Sequence, residues 1–480
     1  MKVQSLTNES QPIFVVDMDD SLLKTDLLLE KLVKLGIESP LRLLKAPFFL
    51  FRGKLAFKKW LNENVELDYS ALPYRSEVLS RARSAKERGE RTILLSAALQ
   101  EDVNKVSDLL RVFDDSIGSQ KENLKGQKKI NYLKENYSSS SMTYIGDSFS
   151  DLKVWSECNK VIAINPSSIL VSQINKLNKY TEYIFDENNF LALITKQIRV
   201  YQWTKNILVL LPVFAAHRFV EILPWINSLR AFVAFSFLAS TVYVFNDICD
   251  LSSDRKQGSK KHRPLASGNL SLRTALFLMP ACLFVSFSVC WGLGREIFLV
   301  LGSYLLMNII YSFWVKKSLV MDVVFLAGFY TLRIFAGGAA SDTMVSEWLL
   351  SFSVFFFFGL AMVKRYSELK IQSLSLVKGP VGRRSYDPQD LLTVLVSGIS
   401  TSILSILILA LYLSTGEVKR LYQSPSLLWF VTPCLLYWIN RLWILGARGQ
   451  VTEDPLIFAL KDKTTWGVTV VIISIVLLAI

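Results

Sequence analysis

The sequence predicts two unlike parts in one chain: an N-terminal α/β part with a parallel sheet and a small helical cap, and a C-terminal all-α polytopic membrane part of about nine transmembrane helices. Three observations carry this expectation. Charge and short apolar runs are mixed up to about residue 195, whereas segments approaching the ~20 apolar residues that cross a bilayer dominate beyond it. The strand-like runs of the first part end in small or acidic polar residues, with helix-like stretches between them, as in parallel sheets that bind ligands at their carboxyl edge. A length of 480 residues is also long for one core, so the chain is divided into 1–195, with a cap at about 27–72, and 196–480.

In chain order, "MKVQSLTNESQPIFVVDMDD" has no apolar core ahead of its first carboxylates and does not read as a signal peptide, which places the first part in the cytoplasm. "IFVVD" is the first strand and ends at Asp17. Residues 27–72 read as helical, basic and aromatic, forming a cap or resting on the membrane surface through "LLKAPFFLFRGKLAFKKW". "SEVLSRARSAKERGE" reads as a helix, and "RTILLSA" and "MTYIGDS" as further strands. Nine apolar segments follow near 204–219, 226–246, 272–293, 296–314, 319–340, 346–363, 391–413, 425–446 and 464–480. Counting from a cytoplasmic start, the inner connections hold Lys256, Lys261, Lys316, Lys317, Lys364, Arg365, Arg383, Arg384, Lys461 and Lys463. The outer ones hold mainly Arg218, Arg295, Lys419 and Arg420, as the positive-inside bias requires.

The net charge of +13 does not indicate nucleic acid, because the basic residues cluster between hydrophobic segments and form no continuous stripe. They suit membrane topology and anionic ligands. The five cysteines, Cys158, Cys249, Cys282, Cys290 and Cys434, have no metal-site spacing and imply no disulfide framework.

One stretch, "VYVFNDICDLSSDRKQGSKKHRPLASG", brings acids and bases to a membrane boundary. Continued as helix, it places Asn246, Asp250 and Asp254 on one face, with Asp247 beside them. Carboxylates this close repel, so a divalent cation is the natural compensation, and oxygen ligands suit Mg²⁺, which also takes oxygens from a bound diphosphate. Lys260, Lys261 and Arg263 would neutralise phosphate oxygens, with Lys316, Lys317, Lys364 and Arg365 adding charge from neighbouring inner loops. A loop charged only to fix topology would explain the cations but not the regularly spaced acids.

"NDICDLSSD" resembles the NDxxDxxxD motif of the UbiA-type intramembrane prenyltransferase superfamily, whose members have nine helices and bind a diphosphate through Mg²⁺. "RVYQWTKNILVLLP", "KKHRPLASG", "YSFWVKKSLVMDVVFLAGFYTLRIFAGG" and "AMVKRYSELK" are similar to the decaprenyl-phosphate phosphoribosyltransferase branch over nearly all of residues 198–480. That resemblance implies phosphoribosyl diphosphate as donor and a polyprenyl phosphate as acceptor, in a bacterial inner membrane. Where quinone-type members carry a second DxxxD motif, this chain offers only Glu368 in "KRYSELK", besides Asp322, Asp387 and Asp390 elsewhere. Val200 stands where the branch has Pro, while Arg199, Gln202, Trp203, Lys205 and Asn206 match. Asn246, Asp250 and Asp254 would then grip the leaving diphosphate through Mg²⁺. Lys364, Arg365, Arg333 and Tyr366 would meet the ribose 5-phosphate or the acceptor phosphate, although Arg333 has the alternative of pairing with Asp322 inside the bundle.

In the first part, Asp17 and Asp19 in "VVDMDDSLLKTD", Ser96 after "RTILL", Lys125 in "NLKG", and Asp147 with Asp151 in "YIGDSFSD" resemble, in order, the four motifs of the haloacid-dehalogenase (HAD) phosphatase superfamily, with its Rossmannoid sheet. The resemblance implies Asp17 as nucleophile, Asp19 as acid/base, Ser96 and Lys125 as phosphoryl holders, and a second Mg²⁺ on Asp17, Asp147 and Asp151. Asp20 and Ser21 replace the usual Gly and Thr.

The expectation is therefore a bifunctional membrane enzyme that makes a polyprenyl-phosphate phosphoribose and dephosphorylates that product or a related substrate. The alternatives are a transferase using a prenyl diphosphate donor and another acceptor, and a non-enzymatic lipid-binding or transport protein. The last is disfavoured because no pair of broken repeats is visible.

Overall fold

The computed structural model describes residues 11–137, 141–186, 189–374, 386–451 and 454–480; Arg383 and Arg384 lie outside them. It resolves into two compact units, one of Met1–Gln197 with Val244–Leu278, the other of Ile198–Tyr243 with Met279–Ile480.

The first unit is built on six parallel strands: β1 (Ile13–Val16), β2 (Arg91–Leu99), β3 (Asp115–Ser119), β4 (Met142–Gly146), β5 (Lys160–Ile164) and β6 (Tyr180–Ile184), in the order β3-β2-β1-β4-β5-β6. All four residues of β1 are buried: Phe14 and Val16 face one core, Ile13 and Val15 the other, as period-two alternation between two covered faces demands. Strand order reverses between β1 and β4, which opens a crevice at their carboxyl ends. The expected strands "IFVVD", "RTILLSA" and "MTYIGDS" are β1, β2 and β4, so the two acidic ends flank that crevice.

The stretch expected to be helical after β1 forms Leu27–Glu38, Pro40–Leu43, Ala46–Phe51 and Lys54–Asn64 around a small core of Leu35, Phe57, Trp60, Leu61 and Val65. Ion pairs join this cap and its neighbours to the 244–278 segment. Arg255 binds Glu30 at 2.6 Å with both side chains buried, Lys256 meets Asp68 at 2.5 Å, and Arg273 meets Asp26 at 2.6 Å. Gly268 holds φ +75°, and a Cβ there would come within 2.6 Å of Lys24 Cβ, so only glycine fits.

The second unit is helical, and the chain is an integral membrane protein. Among the described residues seven helices are long and apolar enough to span a bilayer: Ile222–Cys249, Leu272–Val289, Arg295–Phe313, Met321–Ser341, Glu347–Ile371, Pro388–Leu413 and Pro425–Ala447. Pro455–Lys461 and Lys463–Ala479, bent by 85°, make an eighth if taken together. The expected count of nine differs at the first segment. Residues 200–210 form a 3₁₀ helix that passes into the five-residue helix Leu211–Ala215 around Pro212, too short and too broken for a span.

Candidate functional site

The crevice between β1 and β4 opens into a cavity of about 430 Å³. Asp17, Asp19, Ser96, Lys125 and Asp147 all line it, joined by Lys31, Lys58, Lys129 and Arg273. Asp17 leaves β1 with its Oδ1 accepting the Met18 N–H at 2.9 Å, and the turn that follows aims Asp19 at the same space. Asp19 Oδ1 accepts the Leu27 N–H at 3.0 Å, while Oδ2 accepts from the Ser96 hydroxyl at 3.4 Å. Ser96 Oγ in turn accepts the Ala98 N–H at 3.0 Å, which fixes its rotamer. Asp20 has φ 54°, the left-handed conformation that glycine enters freely and Asp tolerates. Its carboxylate lies 3.4 Å from the Arg273 guanidinium, a contact glycine could not make.

Among the described residues, one group of three acidic ligands has oxygens within 4.8 Å of one another: Asp17, Asp147 and Asp151. Asp151 is the least exposed, its Oδ1 accepting from Tyr144 Oη at 3.0 Å and its Oδ2 from the Ser148 hydroxyl at 2.9 Å. Lys129 was not anticipated from sequence. It is buried, 2.9 Å from Asp17, 3.7 Å from Asp151 and 2.8 Å from Tyr144 Oη. Its signal was available, since Lys129 belongs to the apolar-facing side of the helix Gln127–Asn136, where a lysine needs a partner. Burial, opposed by Lys129, lifts Asp17 to about 6; burial with Asp17 and Asp151 nearby lifts Asp147 to about 8; and burial with Asp26 nearby lifts Asp19 to about 7. These oxygens are short of positive charge, which fits a hard divalent cation beside Asp17 and a proton on Asp19.

The acidic motif lies at the end of the helix Ile222–Cys249. Asp250 interrupts the helix at φ −94° and ψ 6°, yet its N–H bonds Asn246 O at 2.8 Å and the Asp254 N–H bonds Asp250 O at 2.8 Å. The four-residue spacing therefore survives the break. Asp247 and Asp254 are buried and bridged by Arg263, whose Nη1 lies 3.0 Å from Asp247 and 2.5 Å from Asp254. Gln197 Nε2 also donates to Asp247 at 3.0 Å. Arg263, expected on phosphate, is thus engaged with acids, while Lys261 points outward from an exposed turn.

The second unit holds a separate charged group. Lys205 lies 2.8 Å and Lys364 3.8 Å from Asp454, with Tyr330 Oη 3.4 Å from the same carboxylate. Asp454 caps the helix Pro455–Lys461 and was not singled out from sequence, although Asp before Pro is a helix-start signal. Arg333 is buried against Asn206 Oδ1 at 2.7 Å and among Phe235, Tyr304 and Tyr330, so the expected alternative of an Arg333–Asp322 pair does not form. Asp322 is taken by Arg365 at 2.6 Å and by Tyr386 Oη at 2.9 Å, and Arg365 also binds Glu368 at 2.6 Å. Tyr366 packs in the helical core against Trp443. Gln202 is half-buried in the 3₁₀ run that Val200 begins, a first-turn position of the kind proline favours, and Lys316 and Lys317 lie on the turn before Met321–Ser341.

A family model described as "UbiA prenyltransferase family" matches residues 208–453, more than half of the chain. The chain belongs to the UbiA prenyltransferase family. It is an enzyme, a membrane transferase of the UbiA type. A relative named "Uncharacterized protein y4nM" from Sinorhizobium fredii is 30% identical across 97% of this chain and 90% of its own length. The "Decaprenyl-phosphate phosphoribosyltransferase" of Mycobacterium tuberculosis is 34% identical over 38% of this chain and 62% of its own. Among solved structures, a UbiA homolog from Archaeoglobus fulgidus bound to GPP and Mg²⁺ superposes with a TM-score of 0.45 at 16% identity, over 59% of this chain and 97% of that one.

Proposed function

We propose that this UbiA-family protein transfers a group from a diphosphate donor to a membrane-borne acceptor, and that its α/β part is a HAD-type phosphohydrolase. The family match over residues 208–453 carries the first half, and it favours a prenyl diphosphate donor, the reading that stood as the alternative in the sequence analysis. A second reading, phosphoribosyl diphosphate with a polyprenyl phosphate acceptor, is favoured by the 34% identity to the mycobacterial phosphoribosyltransferase.

Both readings ask the same of these residues. Asn246, Asp250 and Asp254 keep their four-residue backbone spacing and offer only oxygens, the donor type Mg²⁺ takes, with Asp254 exchanging its Arg263 partner for the ion. When bound there, the ion would neutralise the diphosphate as it leaves. Lys205 and Lys364, sharing the single carboxylate of Asp454, retain net positive charge for an anionic group. Positioning two anionic reactants is the larger part of such chemistry.

In the α/β part, Asp17 would attack the phosphorus of a phosphate monoester while Asp19, raised toward neutrality, gives its proton to the leaving oxygen. Asp19 then takes a proton from the water that cleaves the aspartyl phosphate. Ser96, Lys125 and Lys129 would hold the phosphoryl oxygens. Mg²⁺ on Asp17, Asp147 and Asp151 would lower the repulsion between carboxylate and phosphate.

The test is product mass. Protein in nanodiscs with Mg²⁺ is given a prenyl diphosphate with polar lipid acceptors, or phosphoribosyl diphosphate with polyprenyl phosphate. A prenyl increment on lipid supports the first reading, a phosphoribosyl increment the second, and no lipid product from either donor defeats both.

A further inference from the structure

The cap carries an apolar surface that no catalytic role uses. In the helices Pro40–Leu43 and Ala46–Phe51, Leu43, Ala46 and Phe49 turn inward onto the cap core, with Phe49 stacked on Trp60 at 4.8 Å. The opposite side presents Leu41, Leu44, Phe48 and Phe51, of which Leu41 is 80% and Phe51 93% exposed. A rigid face with that much exposed Leu and Phe is costly in water and marks a docking surface.

Its charge points to the occupant. From residue 39 to residue 62 the chain has Arg42, Lys45, Arg52, Lys54, Lys58 and Lys59 and no Asp or Glu. Cations flanking a Leu/Phe face are the pattern of segments that lie in an anionic lipid interface, each contributing about 1 kcal/mol near such a surface.

Position supplies an independent argument. Arg273 belongs to the first turn of the span Leu272–Val289, whose 18 residues reach only about 27 Å, against a hydrocarbon core of ~30 Å. A helix that short needs both ends at the interfaces, so Arg273 lies at headgroup level. Leu50, one residue from Phe51, and Arg273 line the same cavity. The exposed cap face therefore starts from a rim that reaches the bilayer boundary.

We propose that residues 40–54 dock on the anionic surface of the bilayer that the chain itself spans. Leu41, Leu44, Phe48 and Phe51 enter the interface, and Arg42, Lys45, Arg52 and Lys54 meet lipid phosphates. Leu41, Leu44, Phe48 and Phe51 are not among the residues that line the α/β cavity, so neither proposed chemistry requires them.

The test is hydrogen–deuterium exchange on the full chain, one copy per nanodisc, in phosphatidylcholine alone and with phosphatidylglycerol added. Amides of 41–54 are expected to exchange about tenfold more slowly with phosphatidylglycerol, and Leu44→Glu with Phe51→Glu should restore the faster rate while exchange across β1–β6 stays unchanged. Equal exchange in both lipids overturns the anionic occupant. Protection that survives the double substitution, or that arises only in discs holding two copies, assigns the face to intramolecular packing or to a second chain and overturns the proposal as well.

Discussion

Lys129 decides what Asp17 can do. With its ammonium 2.9 Å away, Asp17 is held closer to its ionised form than burial alone would allow, while Asp19, buried and with Asp26 nearby, is pushed to about 7. On the proposed phosphohydrolase reading, one carboxylate would serve as nucleophile and the other as acid, on residues two apart. Asp17→Asn is expected to abolish phosphate release from a sugar phosphate, a loss of about 10³-fold or more, while lipid transfer continues. Phosphate assays on the purified variant check the first part and lipid product mass the second; release at the wild-type rate would remove Asp17 as nucleophile. Asp17 with Asp19 could be picked out from the end of the strand-like run that carries them, and Ser96, Asp147 and Asp151 from their resemblance to the phosphatase motifs that follow in order. Arg273 was not, because its partner Asp26 lies about 250 positions away and only the fold brings them together; Lys129 left the trace of a lysine on an apolar helix face, but its partner Asp17, 112 positions away, was not legible. Glu30 and Arg255 show the same limit. Breaking this buried pair by Glu30→Ala leaves Arg255 unpaired and is expected to cost about 3 kcal/mol, read as a lower unfolding midpoint of the α/β part. An unchanged midpoint would mean that the pair is solvated in the membrane-bound protein.

At the scale of elements, the acidic helix end and the 3₁₀ run show where local pattern succeeds and where it fails. Four-residue spacing of Asn246, Asp250 and Asp254 was legible and survives the break at Asp250, because the i to i−4 bonds on either side are kept. Asp250→Asn is expected to lower lipid transfer by at least about 10²-fold with membrane insertion unchanged, and excess chelator should do the same to the wild-type protein. Transfer that persists in chelator would remove the metal from the reaction. The run 204–219 reads as a span because its hydropathy is high, yet it forms a 3₁₀ helix and one short α-helix. Hydropathy does not report that Pro212 ends one turn pattern and that residues 200–210 pack tightly on Met321–Ser341. That packing needs Gly337, where a Cβ would fall 1.9 Å from Val209 O. Gly337→Ala must separate two backbones, and about 1–3 kcal/mol of destabilisation is expected, seen as earlier thermal unfolding in detergent. A variant as stable as the wild type would show that the contact has room to relax.

For the whole molecule, the compact unit around the sheet includes residues 244–278, which belong by sequence pattern to the membrane part. Sequence reading could not supply this, since Arg255, Lys256, Asn269 and Arg273 look like ordinary inner-loop residues until Glu30, Asp68, Lys24 and Asp26 are placed beside them. The consequence concerns the cavity beside β1 and β4. Arg273 lines it, opposes Asp20 in its left-handed turn and pairs with Asp26, whose charge helps to raise Asp19. A fragment ending at residue 195 lacks Arg273 and all three other contacts, so its Asp20 and Asp26 repel each other and an incoming phosphate without compensation. On a water-soluble phosphate ester the fragment is expected to show kcat/KM about tenfold or more below the full chain, about 1.4 kcal/mol of transition-state stabilisation. Arg273→Ala in the full chain should reproduce much of that loss through KM, because it removes a recognition charge and leaves Asp17 and Asp19 in place. Rate assays on fragment, variant and wild type at matched Mg²⁺ make the comparison. Equal kcat/KM for all three would show that the α/β part is complete without the segment that carries the acidic motif, and that the ion pairs between them serve stability alone.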